Sequence, residues 1–222
     1  MKWWPARRSE KSVEQPDPRP EVVRGPAHVV TDEVDTSSYV ASDAGVELRR
    51  LVDAIREVDG FLKGLGLESS YADVFRTQNA ILNDVTWIRA ATHAITNGSS
   101  APAAVFAAFA DLSSLFDGLD NPTLKERGTD VRSMSRLVRS ALVGDELRRP
   151  EPGVPSVWVV DELDAATAMQ LSSANCTGVV ATSELVSGHG IEIATSRGFP
   201  CVTGRTDFAD TSDGDQIDLI AN

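Results

Sequence analysis

The sequence predicts an α/β unit interrupted by an inserted four-helix bundle, and three observations carry that reading. Residues 43–144 hold apolar stripes at helical spacing, joined by short polar connections. After RRPEPGVP at 148–155, which reads as a linker, the pattern changes to short strand-like runs alternating with short helices. A further strand pattern at about 28–34 precedes the bundle, so the bundle reads as an insertion into a sheet begun before it.

Taken in order, residues 1–22 combine prolines and charges without periodicity and predict a disordered tail, in which Trp3 and Trp4 are out of place. Residues 23–42 and 145–222 are assigned to the α/β unit. Within 43–144, one stripe runs through Leu48, Leu51, Val52, Ile55, Val58 and Leu62. A second runs through Val74, Gln78, Ile81, Val85, Ile88, Thr92 and Ile95, with Ser70 and Asp73 as its start signal and NGSS at 97–100 as its stop. The third helix, about 101–118, turns Val105, Phe106, Phe109, Leu112 and Phe116 inward. The fourth opens at NPTL, with Asn121 as cap and Pro122 in the first turn, and ends at Gly144. SVWVVD and TGVVAT then read as strands with a helix at about 164–173 between them. FPCVTG and DQIDLIA close the sheet.

A net charge of −12, concentrated in the last third, argues against a nucleic-acid partner, which favours a basic surface. The absence of a long apolar run or a secretory leader leads to the expectation of a cytoplasmic protein away from the membrane. Cys176 and Cys201 have no metal-ligand spacing and read as reduced thiols in apolar surroundings.

One segment carries chemistry. In SGHGIEIATSRGFP, 187–200, His189 stands between Gly188 and Gly190 where a strand gives way to a helix. A helix start offers unpaired N–H groups and the positive end of the macrodipole, which suits an anion and favours an uncharged, nucleophilic imidazole. Flanking glycines leave room for a phosphate or a partner. His189 is the candidate catalytic residue, supported by Ser187, Gly188 and Gly190. A capping or surface histidine is the plain alternative.

GVVATSELVSGHGIEIATSRGFPCVTG, 178–204, resembles the phosphohistidine segment of Enzyme I of the phosphoenolpyruvate:sugar phosphotransferase system. His189 falls on the phosphorylated histidine, and Ala194, Pro200 and Gly204 fall on its Ala, Pro and Gly. DNPTLKERGTDVRSMSRLVRSALVG, 120–144, and VFRTQNAILND, 74–84, resemble two of that family's helices, the latter the docking face for the small carrier HPr. The resemblance implies a swivelling phosphohistidine α/β subdomain carrying an inserted HPr-binding-like bundle, with Gln78, Ile81 and Leu82 on the partner face. It also implies no cofactor in this chain, because phosphoenolpyruvate and Mg2+ would belong to a C-terminal barrel, absent here and supplied by a separate domain.

The sequence departs from the pattern at the site. Glu184 and Leu185 replace paired glycines, Val186 replaces an Arg, Ser187 and Gly188 replace a Thr-Ser pair, and Thr195 replaces a second Arg. Asp164 takes the place of a Thr that helps orient the histidine, where a carboxylate would either hold the ring or repel the phosphoryl group. Gln78 replaces a His, and Ser133 an Asp. Two expectations follow: reversible phosphoryl exchange between His189 and HPr or an HPr-like domain, or a degenerate module that binds such a partner without carrying phosphate.

Overall fold

Strand β1 (Glu21–Val30) is followed by five helices before the chain returns to the sheet: α1 (Ala44–Leu67), α2 (Ala72–Leu82), α3 (Val85–Thr96), α4 (Ala101–Asp117) and α5 (Pro122–Val143). The remainder alternates β2 (Ser156–Val160), α6 (Ala165–Ala168), β3 (Cys176–Ala181), α7 (His189–Ser196), β4 (Cys201–Val202) and β5 (Gln216–Ala221), with a 3-10 turn at Thr206–Phe208. This computed structural model describes residues 21–67, 70–117, 122–183 and 188–221. Trp3, Trp4, Asn121 and Ser187 lie outside them.

The sheet has the order β4-β3-β2-β1-β5. Val29 of β1 aligns with Val159 of β2 in parallel, and Val23 aligns with Leu219 of β5 in antiparallel register. That second pairing begins the strand at Glu21, well before the expected start at 28, and places residues 21 and 22 in the sheet rather than in the tail. One sheet face packs on the bundle through Trp158, Val160 and Val179. The other buries Val23, Ala27, Val157, Val159 and Ile217.

The bundle region differs from the four helices expected, because the second stripe is broken into α2 and α3. Asp84 adopts an extended backbone, and its carboxylate accepts from Thr86 N, starting a new helix, while Asn83 Nδ2 donates to the Asn79 carbonyl at the end of the old one. The Trp87 indole donates to the Ile81 carbonyl at 3.0 Å, filling the gap. Buried positions shift accordingly: Phe75, Gln78 and Leu82 face inward on α2, and Trp87, Ala91 and Ile95 on α3, whereas Val85 is exposed. Val52 and Phe106, expected inside, are also exposed; Phe106 lies under the Arg139 guanidinium. Helix α6 is shorter than the expected 164–173. The carbonyls of Ala168 and Leu171 are taken by Arg197 at 2.6 and 2.8 Å, which ends the helix and ties it to α7.

Charge joins bundle to sheet. Arg132 of α5 donates to both Glu162 oxygens, and Arg136, buried on the same helix, pairs with Asp164 at 3.3 Å. Arg149 bridges Asp32 and the Thr31 carbonyl on the sheet side. Because the Arg132 and Arg136 contacts with Glu162, Asp164 and Asp32 leave from successive turns of α5, that helix is held against the carboxyl ends of β1 and β2.

Candidate functional site

His189 is the first residue of α7, and the backbone around it explains both neighbouring glycines. Gly188 is the N-cap at φ +155°, ψ 164°, a region effectively restricted to glycine, and a Cβ there would meet open space. Gly190 has the opposite environment. A Cβ on it would lie 1.8 Å from the Leu163 carbonyl oxygen, so this glycine lets α7 pack directly on the Leu163–Asp164 backbone. The expectation that both glycines clear a path for phosphate is therefore corrected for Gly190, which faces inward. Ile193 and Ala194 are buried beneath the helix and fix its rotation. Gly198 closes it, with the Phe199 amide donating to the Ala194 carbonyl.

The His189 side chain is 26% exposed. Its Nδ1 lies 3.4 Å from Oδ2 of Asp130, a residue of α5 in the bundle. Asp130 is itself buried, and its Oδ1 accepts from Nε2 of Gln78 at 3.0 Å. Arg127, one turn earlier on α5, has Nη1 3.6 Å from Asp130 Oδ2. The site thus combines one ring from the sheet side with an acid, an amide and a guanidinium from the bundle.

These neighbours set the ring's basicity. The Asp130 carboxylate raises the His189 pKa above its ordinary 6.5, against the effect of burial and of the Arg127 charge, which lower it. The helix start alone favours an uncharged ring, and Asp130 outweighs it. A proton on Nδ1 faces the carboxylate, which favours the Nδ1–H tautomer and leaves Nε2 with the free electron pair.

Asp164 does not meet the imidazole in either way expected of it. Its Oδ1 accepts from Thr167 N at 2.7 Å, capping α6, and its Oδ2 accepts from Thr167 Oγ1 at 3.0 Å and from Arg136. Burial alone would raise its carboxyl pKa, but Arg136 and Arg149 hold it below the ordinary carboxylate value. The acid beside the ring is Asp130, in the ERGTDV stretch of α5, a position that spacing alone does not link to His189.

The proposed partner face also changes. Gln78 and Leu82 are both 0% exposed and cannot touch a partner directly. Ile81 is half-buried and lines a groove of about 280 Å3 with Thr77, Ala80, Leu112, Phe116 and Arg127. Arg127 lines this groove and its Nη1 also lies 3.6 Å from the Asp130 carboxylate that meets the histidine. Thr195, at an expected basic position, returns its hydroxyl to the Ile191 carbonyl and supplies no charge.

The N-terminal family of PEP-utilising enzymes matches residues 19–127. The phosphoryl donor subunit DhaM of the PEP-dependent dihydroxyacetone kinase of Pantoea ananatis is 28% identical over 75% of this chain and 37% of its own length. The phosphoenolpyruvate-protein phosphotransferase of Staphylococcus aureus is 26% identical over 69% of this chain and 27% of its own length. The chain therefore spans well under half of these relatives. Among solved structures, an Enzyme I protein studied in solution superposes with a TM-score of 0.61 at 17% identity, covering 91% of this chain and 86% of that one. The N-terminal domain of a nitrogen-type Enzyme 1 gives 0.56 at 22% identity, covering 90% of each. Among the described residues, no helix is long and apolar enough to cross a membrane.

Proposed function

From a chain whose residues 19–127 match the N-terminal family of PEP-utilising enzymes and whose relatives include phosphotransferase proteins, we propose a phosphoryl carrier that exchanges the group between His189 and HPr or an HPr-like domain. The observation that carries the reading is the part-exposed imidazole whose Nδ1 is held against a buried carboxylate.

Nε2 attacks phosphorus in line with the nitrogen of the incoming phosphohistidine. The new N–P bond forms as the old one breaks, and the departing imidazole keeps the electron pair of the broken bond. The ring then bears a positive charge with its proton still on Nδ1, and Asp130 balances that charge. Such transfer depends on positioning and charge compensation more than on covalent help from the protein. The α7 N-terminus and Arg127 face the incoming oxygens. Val186 and Thr195 stand where the resemblance implies two arginines, so Arg127 and the partner carry more of that task.

The groove beside Ile81 and Phe116 receives the partner, with Arg127 between groove and ring. Phosphoenolpyruvate and Mg2+ belong to a separate domain in this reading, and the chain acts in the cytoplasm. The second reading, a partner-binding module without transfer, is favoured by the uncharged Thr195. Incubation with labelled phospho-HPr separates the two. The carrier acquires acid-labile label that His189→Ala does not, whereas the binding module acquires none and still retains HPr.

A further inference from the structure

We propose that Gln78 is a positioning residue for the histidine, its amide fixing the Asp130 carboxylate so that Oδ2 meets Nδ1 of His189 and Nε2 is left as the attacking nitrogen. The inference rests on the carrier reading for its purpose, but not for its geometry.

Gln78 sits on α2, fully buried, with Nε2 3.0 Å from Asp130 Oδ1. Asp130 sits on α5, and His189 on α7. Three segments distant in sequence therefore converge as a chain of amide, carboxylate and imidazole. Packing does not account for the amide. Among the described residues, Gln78 Oε1 is buried without a hydrogen-bond partner. A buried amide satisfied at one end only costs more than an apolar side chain of similar size. Polar groups left incompletely paired concentrate where a structure serves a function instead of its own stability. The amide's other end, Nε2, is the one that meets the carboxylate beside the ring.

Without the Gln78 donor, the neighbour besides the ring that remains to hold Asp130 among the described residues is Arg127, 3.6 Å away, and that guanidinium competes with the ring for Oδ2. The charged groups facing the imidazole are Asp130 and Arg127 from α5 and Glu192 from its own helix. Gln78 changes none of these charges. Its effect is the direction in which the Asp130 charge points, and being an amide it exerts that effect at every pH.

The test is long-range 1H–15N NMR of the His189 ring in the full chain, with phosphoryl transfer from phospho-HPr measured in parallel. Neutral wild-type His189 carries its proton on Nδ1. In Gln78→Leu the tautomers mix, the ring pKa moves down toward its ordinary value, and transfer slows about ten- to a hundred-fold. Gln78→His, which restores a donor, recovers the Nδ1–H tautomer. A wild-type ring with its proton on Nε2 overturns the proposal whether or not the leucine variant folds, and so does an unchanged tautomer in folded Gln78→Leu. Wild-type protein that shows the Nδ1–H tautomer and its loss in Gln78→Leu, but never accepts phosphate, supports the positioning role and sinks the carrier reading alone.

Discussion

Asp130 and His189 meet across the boundary between helix bundle and sheet, Oδ2 to Nδ1 at 3.4 Å, so the group that sets the ring's basicity belongs to a different layer from the ring. Any movement of α7 away from α5 removes that carboxylate.

The pH dependence of transfer follows. Attack requires the neutral ring, and Asp130 holds the folded-state pKa above 6.5, so acceptance of phosphate rises with pH through a midpoint above that value. In Asp130→Asn the midpoint moves down, read from pH–rate profiles of both proteins. For stability the same shift has the opposite pH sense. The protonated ring beside Asp130 stabilises the fold fully below 6.5, and that contribution is lost as pH rises through the raised pKa.

Asp164 and Asp130 separate by phenotype. Asp164→Ala strands the buried Arg136 guanidinium and uncaps α6, costing about 3 to 5 kcal/mol in denaturant unfolding. In Asp164→Asn, which keeps the side chain's shape, the His189 tautomer is that of the wild type. A shifted tautomer in that variant would return Asp164 to the role the sequence suggested.

Gly190→Ala forces a methyl carbon into the Leu163 carbonyl, and a backbone atom has no rotamer by which to yield. The expected loss is about 3 kcal/mol or more in thermal or urea unfolding, with α7 displaced. Gly188→Ala meets no atom but must leave its φ of +155°, so it changes the ring's position more than the packing.

Glu47 anchors the bundle's opening. Its buried carboxylate accepts from Ala101 N at 2.7 Å, Tyr39 OH at 2.9 Å, Ser42 N at 3.1 Å and Arg50 at 2.7 Å. Burial alone would raise its pKa, but these donors together hold it below 4.5, so its contribution is present above that value and is lost as pH falls through the folded-state pKa. Glu47→Ala costs about 3 kcal/mol, and acid unfolding monitored by circular dichroism loses part of its pH dependence in that variant.

Periodicity made the insertion of helices between two strands legible, because 3.6-residue and two-residue patterns do not imitate each other. It did not reveal the break at Asn83–Asp84, where a side-chain cap overrides an apolar spacing that continues through it. The strand β1 was underestimated because its first half is stabilised by β5, nearly two hundred residues later. His189 was visible from its glycines and its register. Asp130 was not, since the contact depends on how α5 lies across α7, and no spacing within either helix encodes that. Gln78 is legible as a member of an apolar stripe, but which side of the stripe faces inward is decided by the neighbours of α2.

Phosphorus-31 and nitrogen-15 NMR of the chain after exposure to phospho-HPr tests the central claim most directly. The account predicts one phosphoramidate, on Nε2 of His189, that vanishes in His189→Ala. Phosphate on Nδ1, on another residue, or nowhere while HPr is bound would contradict it.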